Sequence, residues 1–280
     1  MPNIQLRPYN HASSFRKIAA AAWDDMYQAT IYGQLKIRVE ALEAYIDKAR
    51  TETGKRITLT HCVTRALALL LSEHPDINAL VINRKLYLRE DVDIFLQVAL
   101  PSDDPDRMGK SDLTGLCVRR ADKLSLGELH DTIREQASAL RKGKDKDFDK
   151  TKKQANNTPG WLLHRALKFI GWLQYRWNID TSFLGAPRDP FGSAMVTSVG
   201  MFDARVGYAP FFPLARTAII LCIGAIVEEP VVENGEVVPG RVISIQATMD
   251  HRVVDGYHAG ILSQEITKIL TEPDKYLGTP

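Results

Sequence analysis

Apolar positions recur along the chain with two periods. Near residue 15 they return every three or four residues (Phe15, Ile18, Ala19, Ala22, Trp23, Met26), which predicts an amphipathic helix with Ser13 and Ser14 placed to cap it. Over 31–39 the period drops to two (Ile31, Gly33, Leu35, Ile37, Val39), the signature of a strand. Helical spacing resumes over 41–49 with Leu42, Tyr45 and Ile46. A strongly apolar helix is expected over 58–74, opened by Thr58 or Thr60 and stopped before Pro75. Short strands are expected over 77–82 and 85–88, on either side of Asn83-Arg84, and another over 92–100, ended by Pro101. Ser125 and Glu128 form the capping-box pattern for a helix over 126–140.

The second half repeats the alternation. Residues 161–177 carry a helical pattern (Leu162, Leu163, Ala166, Leu167, Ile170, Leu173) interspersed with Arg165, Lys168 and Arg176. Strands are expected over 193–202, 218–227 and 242–249, the last two joined by a hairpin at Asn234-Gly235, and a helix over 257–270. Helices alternate with strands, yet hairpins and non-local returns interrupt any simple βαβ series. The fold class this predicts is α/β: a mixed sheet with helices on one side, not a doubly wound fold. Residues 1–14 read as an N-terminal arm and 15–280 as the main domain, with an extra helical segment at about 150–190.

Composition narrows the function classes. With 45% hydrophobic and 25% charged residues the chain is an ordinary globular protein, long enough to bury a sizeable core. A net charge of +2 provides no reason to expect nucleic acid or an anionic membrane as a partner. Cys62, Cys117 and Cys222 stand apart in apolar runs, which excludes a CxxC motif and fits buried free thiols in a reducing compartment. No signal-peptide pattern or bilayer-length apolar run is present, so a cytoplasmic location is expected. The absence of GxGxxG after a strand, of GxxxxGK[ST], of HExxH and of GxSxG weakens nucleotide-binding, zinc-protease and α/β-hydrolase readings, and no metal site is expected.

Candidate chemistry concentrates between the strand over 242–249 and the helix over 257–270. Asp250-His251-Arg252-Val253-Val254-Asp255-Gly256 places a His and two Asp at a strand-to-helix turn closed by Gly, a common place to present a side chain to a cleft. His251 is suited to general-base work near neutral pH. Asp255 can orient a ring or hold an Arg. Taken alone, the same residues also fit a strand-end His beside solvated carboxylates.

This motif resembles the active-site signature of the dihydrolipoyl acyltransferases, the core subunits of 2-oxoacid dehydrogenase complexes. It is similar also to the His-x-x-x-Asp-Gly of their fold relative, chloramphenicol acetyltransferase. Agreement extends to Glu73-His74-Pro75-Asp76-Ile77-Asn78-Ala79, to Ala121-Asp122-Lys123-Leu124-Ser125-Leu126, and to Val196-Thr197-Ser198-Val199-Gly200-Met201-Phe202. The resemblance implies a chloramphenicol-acetyltransferase-like two-layer sandwich that forms homotrimers, with His251 from one subunit and Thr197 from its neighbour in each site. It implies acyl transfer between coenzyme A and a dihydrolipoamide-like thiol or other small acceptor. Thr197 falls where the family has a Ser hydroxyl aimed at the oxyanion; Ser198 would face the other side of the strand. Arg16, of the matching Arg16-Lys17 pair, would pair with Asp255, while Asp250, Arg252 and Gly256 shape the loop. Implied partners are a lipoyl-bearing protein, other dehydrogenase-complex subunits and a higher cubic assembly of trimers.

Two segments depart from the family. The loop over 102–110 is longer and more acidic, and 156–190 adds the Trp-containing helical pattern. That addition reads as a helix packed on the core or at a subunit contact, a membrane-surface helix, or a lid over the acyl pocket. The charge run over 141–153 reads as a solvated linker or a contact for coenzyme A phosphates, and its Lys144 and Lys146 lack the hairpin setting of a lipoylated Lys. A core fragment, or a standalone member without lipoyl or peripheral-subunit-binding domains, is therefore expected. The alternative class is a non-catalytic assembly or shell protein on the same trimeric core.

Overall fold

The computed structural model describes residues 2–8, 29–100, 112–141, 159–212 and 215–278. The helix expected from Phe15, with Arg16 on it, lies outside the described residues, as do Lys144 and Lys146. The strands are β1 (Leu6–Pro8), β2 (Thr30–Arg38), β3 (Ala79–Ile82), β4 (Lys85–Arg89), β5 (Ile94–Leu100), β6 (Asp112–Val118), β7 (Ala194–Ser198), β8 (Ile219–Glu233) and β9 (Glu236–Asp250). The described helices are α1 (Glu40–Thr53), α2 (Leu59–Glu73), α3 (Leu126–Arg141), α4 (Gly160–Arg176), α5 (Gly256–Thr271) and the short α6 (Pro273–Tyr276).

Six strands form a mixed sheet in the order β2-β9-β8-β7-β5-β6. β7 runs parallel to both its neighbours, and the remaining pairs are antiparallel. Register decides which face carries the core. Ile31, Met249 and Ile219 stand in one row across the sheet, and Leu35, Ile245 and Ile223 in another. These rows pack with Leu42 and Tyr45 of α1, Leu67 and Leu70 of α2, Leu129 of α3, and Leu262 and Ile266 of α5 in one apolar core. Helices on one side of a mixed sheet are thus what the alternation produces. On the opposite face Met195 and Ile220 meet Phe211 and Ala215 in a smaller cluster.

The helix starts follow local chemistry. Ser125 Oγ accepts from the Glu128 N–H at 3.3 Å while Glu128 returns a carboxylate to the Ser125 N–H at 2.8 Å, the expected capping box. α2 opens with a box of the same kind in which His61, not Glu or Gln, answers Thr58. The β8–β9 hairpin is longer than expected, because pairing continues from Val227↔Val242 out to Glu233↔Glu236. Asn234 and Gly235 both take positive φ at its tip, as a two-residue primed turn requires.

A second, three-stranded sheet has the order β1-β4-β3. α4 leans on it through Tyr175, which is buried with Ile4, Leu80 and Ile82. Phe169, Trp172 and Trp177 remain exposed and contact one another in series, at 6.1 and 5.8 Å between ring centroids. Among the described residues no helix is long and apolar enough to cross a membrane.

Candidate active site

The turn after β9 is held from both sides by backbone. The Asp250 N–H donates to Ala218 O at 2.9 Å, and the His251 N–H to Ala29 O at 2.7 Å. Val253 and Val254, both buried, return their N–H groups to Asp250 O at 2.9 and 2.8 Å. Inside the turn Arg252 forms a bidentate pair with Asp250, Nη2 to Oδ2 at 2.7 Å and Nε to Oδ1 at 2.9 Å, and its N–H adds a bond to Oδ1 at 3.0 Å. Both side chains are almost fully buried. Two charges withdrawn from water in this way persist only with good geometry and full pairing, so the pair holds the turn in one shape.

That shape sets the tautomer of His251. Its Nδ1 lies 2.9 Å from Val254 O. A carbonyl only accepts, so Nδ1 carries the hydrogen, and in the neutral ring the basic lone pair is on Nε2. The ring is half-buried, and the backbone of its own turn orients it.

Asp255 has a different task. It is the N-cap of α5, and its Oδ1 accepts from the Tyr257 N–H at 3.0 Å and the His258 N–H at 3.1 Å. The same oxygen is 2.7 Å from His258 Nδ1, and His258 Nε2 is 2.9 Å from Asp76 Oδ2. A ring bracketed by two carboxylates satisfies both only when both nitrogens carry hydrogen. The 3.4 Å approach of the Asp255 N–H to Nδ1 would need that nitrogen as acceptor; the 2.7 Å contact is the stronger one and prevails. Burial works to raise the pKa of Asp255, but the His258 N–H and charge and the Tyr257 N–H outweigh it and hold the carboxyl below its ordinary value. The ring Asp255 orients is therefore that of His258, not His251. Its expected partner Arg16 lies outside the described residues. Gly256 is the first residue of α5 rather than the end of the turn, and a Cβ there would meet nothing within 4 Å.

Thr197 and Ser198 end β7. Thr197 stands in register with Cys222, and Cys222 with Gln246. Its hydroxyl donates to Gln97 Oε1 on β5 at 3.1 Å. Ser198, one residue on, shares the face of Val196, which belongs to the helix-covered core. His251 lies five residues beyond Gln246 and two strands over, which places it roughly 19 Å from Thr197 at about 3.3 Å per residue and about 4.8 Å per strand. The fold thus brings Asp250, His251, Arg252 and Asp255 to one turn and leaves Thr197 and Ser198 two strands away, at the far end of β7.

Sequence reasoning missed His258, Asp76 and Gln97. The first had a local signal, since Asp255-x-x-His258 has capping-box spacing, as Thr58-x-x-His61 does. Asp76 and Gln97 had none, because their partners lie 182 and 100 residues away. Among the described residues no cluster of His, Cys, Asp and Glu could hold a metal ion.

Comparison with known proteins bears on the fold and the family. The chain is similar to the dihydrolipoyllysine-residue acetyltransferase component of the acetoin cleaving system of Bacillus subtilis, 25% identical over 225 residues, covering 80% of this chain and 44% of that protein. The chain spans about half the length, or less, of the curated relatives it matches. Its fold is similar to the cubic core of a pyruvate dehydrogenase multienzyme complex, with a TM-score of 0.64 at 18% identity, covering 90% of this chain and 86% of that one. It is similar also to chloramphenicol acetyltransferase, with a TM-score of 0.55 at 10% identity over 95% of this chain and all (100%) of that one. The family model described as 2-oxoacid dehydrogenases acyltransferase (catalytic domain) matches residues 11–154 and 191–278, and the chain belongs to that family.

Proposed function

We propose that the chain transfers an acyl group between coenzyme A and a thiol, with dihydrolipoamide carried on a partner protein as the first acceptor to test. The observation that carries this reading is the His251 ring, whose Nδ1–H is tied to Val254 O and whose Nε2 is thereby the basic nitrogen. A free thiol has a pKa of about 8.5 and is mostly protonated at neutral pH, so its attack benefits from a base. Nε2 takes the thiol proton as sulfur bonds to the thioester carbonyl carbon. The carbonyl oxygen becomes an oxyanion, and collapse expels the second thiol, which recovers the proton from the imidazolium.

The oxyanion needs a donor. Thr197 carries the right hydroxyl, but its roughly 19 Å separation from His251 within one chain supports a site shared between copies, with Thr197 supplied by a neighbour in a trimer. One such donor is worth about 3 kcal/mol of barrier. Assembly of trimers into a cubic core, as in the pyruvate dehydrogenase relative, and docking of other dehydrogenase-complex subunits belong to the same reading. Residues 15–280 are then one catalytic domain carrying α4 as an addition.

The direct test is His251→Ala assayed for acyl transfer from acetyl-coenzyme A to dihydrolipoamide. Loss of about 10²–10⁴-fold in kcat is expected, with coenzyme A binding retained by calorimetry. Undiminished turnover would refute the role of His251, and failure of the wild type to bind coenzyme A would favour the non-catalytic assembly reading.

A further inference from the structure

Beside the small sheet a charged cavity of about 300 Å³ lies between the N-terminal segment, β4 and the loop before β7. The charges on its wall are paired with one another, Arg89 with Asp189 and Arg119 with Asp93. The helix α4, which leans on the same sheet, presents two unlike faces. Gln174 and Tyr175 are buried, and Leu167, Ile170 and Leu173 are half-buried. Gln174 Nε2 donates to Thr181 Oγ1 at 2.7 Å and to Pro187 O at 3.1 Å. These contacts fasten the C-terminal half of the helix to the body. On the other side Leu162, Arg165, Phe169, Trp172 and Arg176 are all exposed. They return every three or four residues, so they form one outward stripe about 21 Å long at 1.5 Å per residue.

The stripe is apolar and basic at once. Leu162, Phe169 and Trp172 are 44%, 55% and 49% exposed, and Trp177, just past the helix, is 61% exposed. Phe169, Trp172 and Trp177 touch in series, so they make one patch rather than scattered surface residues. Lys168 is exposed one turn before Trp172. Arg176 donates to the neutral side chain of Asn83 and keeps its charge. No Asp or Glu occurs between Asp149 and Asp180, so nothing within α4 offsets its positive charge. The net charge of +2 averages this local excess away, but a surface at contact distance responds to the charges within about 10 Å of it.

An aromatic patch set among positive charges selects what covers it. A second copy seated face to face presents the same patch twice, which would set Lys168 and Arg176 against their own images. An anionic bilayer surface has the complementary chemistry. Trp and Phe rings settle at the boundary between headgroups and acyl chains, while Lys and Arg reach lipid phosphates on their apolar stems. α4 is not long and apolar enough to cross a membrane, so it would lie in the plane of the surface. It is also an addition, because the family match covers residues 11–154 and 191–278 and α4 falls in the gap.

We propose that the outer stripe of α4 docks the protein on an anionic lipid surface, with Phe169, Trp172 and Trp177 at the acyl boundary and Lys168 and Arg176 on the phosphates. Docking is independent of the acyl-transfer reading, and its test needs no substrate. The full chain is sedimented with vesicles of phosphatidylcholine alone and of phosphatidylcholine mixed with phosphatidylglycerol. Two variants accompany the wild type. Phe169→Ser with Trp172→Ser removes two rings, and Lys168→Glu reverses one charge. All three side chains are exposed, so folding is not at stake, and circular dichroism checks it.

The wild type is expected to sediment with the mixed vesicles, with a blue shift of its Trp emission, and to be released as salt is raised. Affinity for these vesicles should fall about tenfold or more in the double variant and about fivefold or more in Lys168→Glu. No sedimentation of the wild type with the mixed vesicles, or sedimentation undiminished in the double variant, would overturn the proposal. So would a wild-type assembly larger than that of the double variant by multi-angle light scattering, which would assign the stripe to a contact between copies.

Discussion

If His251 and Thr197 act together only across a boundary between copies, two inactive variants should repair each other. His251→Ala removes the base, and Thr197→Val removes the hydroxyl while keeping the shape of the side chain. The single loss at Thr197 is expected to lower kcat about 10²–10³-fold. The reason for mixing them is the register: Thr197 pairs with Cys222, Cys222 with Gln246, and His251 stands five residues further on, so the two side chains of one chain are roughly 19 Å apart and cannot share a reacting carbonyl. In a trimer assembled at random from equal amounts of the two variants, about a quarter of the sites take His251 from the Thr197→Val chain and Thr197 from the His251→Ala chain. Co-refolding the variants and assaying acyl transfer should therefore recover about a quarter of wild-type activity, against one hundredth or less for either alone, at about 10²-fold per lost donor. Activity of the mixture no higher than the mean of the separate variants, with mixed assembly verified by native mass spectrometry, would refute the shared site.

Other outcomes follow from the turn and its surroundings. Asp250→Ala leaves Arg252 charged, buried and unpaired, and should cost about 3–5 kcal/mol in a urea titration. Asp255→Ala removes the N-cap of α5 and one carboxylate on His258, and should cost at least about 1 kcal/mol by the same measure. His61, which faces Thr58 and the His130 ring, is lowered from 6.5 to about 4, by burial first and then by His130, against the Thr58 hydrogen bond. The unfolded chain then binds a proton between these values that the folded chain refuses. Stability is full above the unfolded pKa of 6.5 and falls as pH drops toward about 4, by about 3 kcal/mol from this group. His61→Gln, a normal residue for that capping position, should flatten the slope of stability between those pH values; an unchanged slope would remove His61 as its source.

What could be read without the fold was what lies close along the chain. Alternation over 31–39 and helical spacing over 257–270 marked elements because backbone periodicity exposes one face at a fixed interval. Ser125 and Glu128 announced their helix for the same local reason. The His251 turn was legible too, since Asp250, Arg252 and the Val254 carbonyl are all within three residues of it. β6 was not announced as a strand. It carries Gly115 in its middle, and the ring of Phe95 from β5 lies over the place where a Cβ would stand, so its stability comes from a partner rather than from its own residues.

The tertiary structure decided everything that depends on strand order and distant meetings. Alternation places Thr197 and Ser198 on opposite faces, but only the order β9-β8-β7 and its register put Thr197 out of reach of its own His251. Asp255 looked like a partner for a catalytic ring or an Arg; the approach of Asp76 from the end of α2 made it part of a His258 network instead. Asn3, Arg89 and Asp189 become one cavity wall only when the N-terminal segment, β4 and the loop before β7 converge. Sequence by itself marked most of the elements and the turn that carries His251, because local periodicity and hydrogen bonds within a few residues suffice for both. The separation of base from hydroxyl, and the charged cavity beside the small sheet, arise from residues far apart along the chain, whose placement is settled by core packing and strand pairing rather than by local propensity.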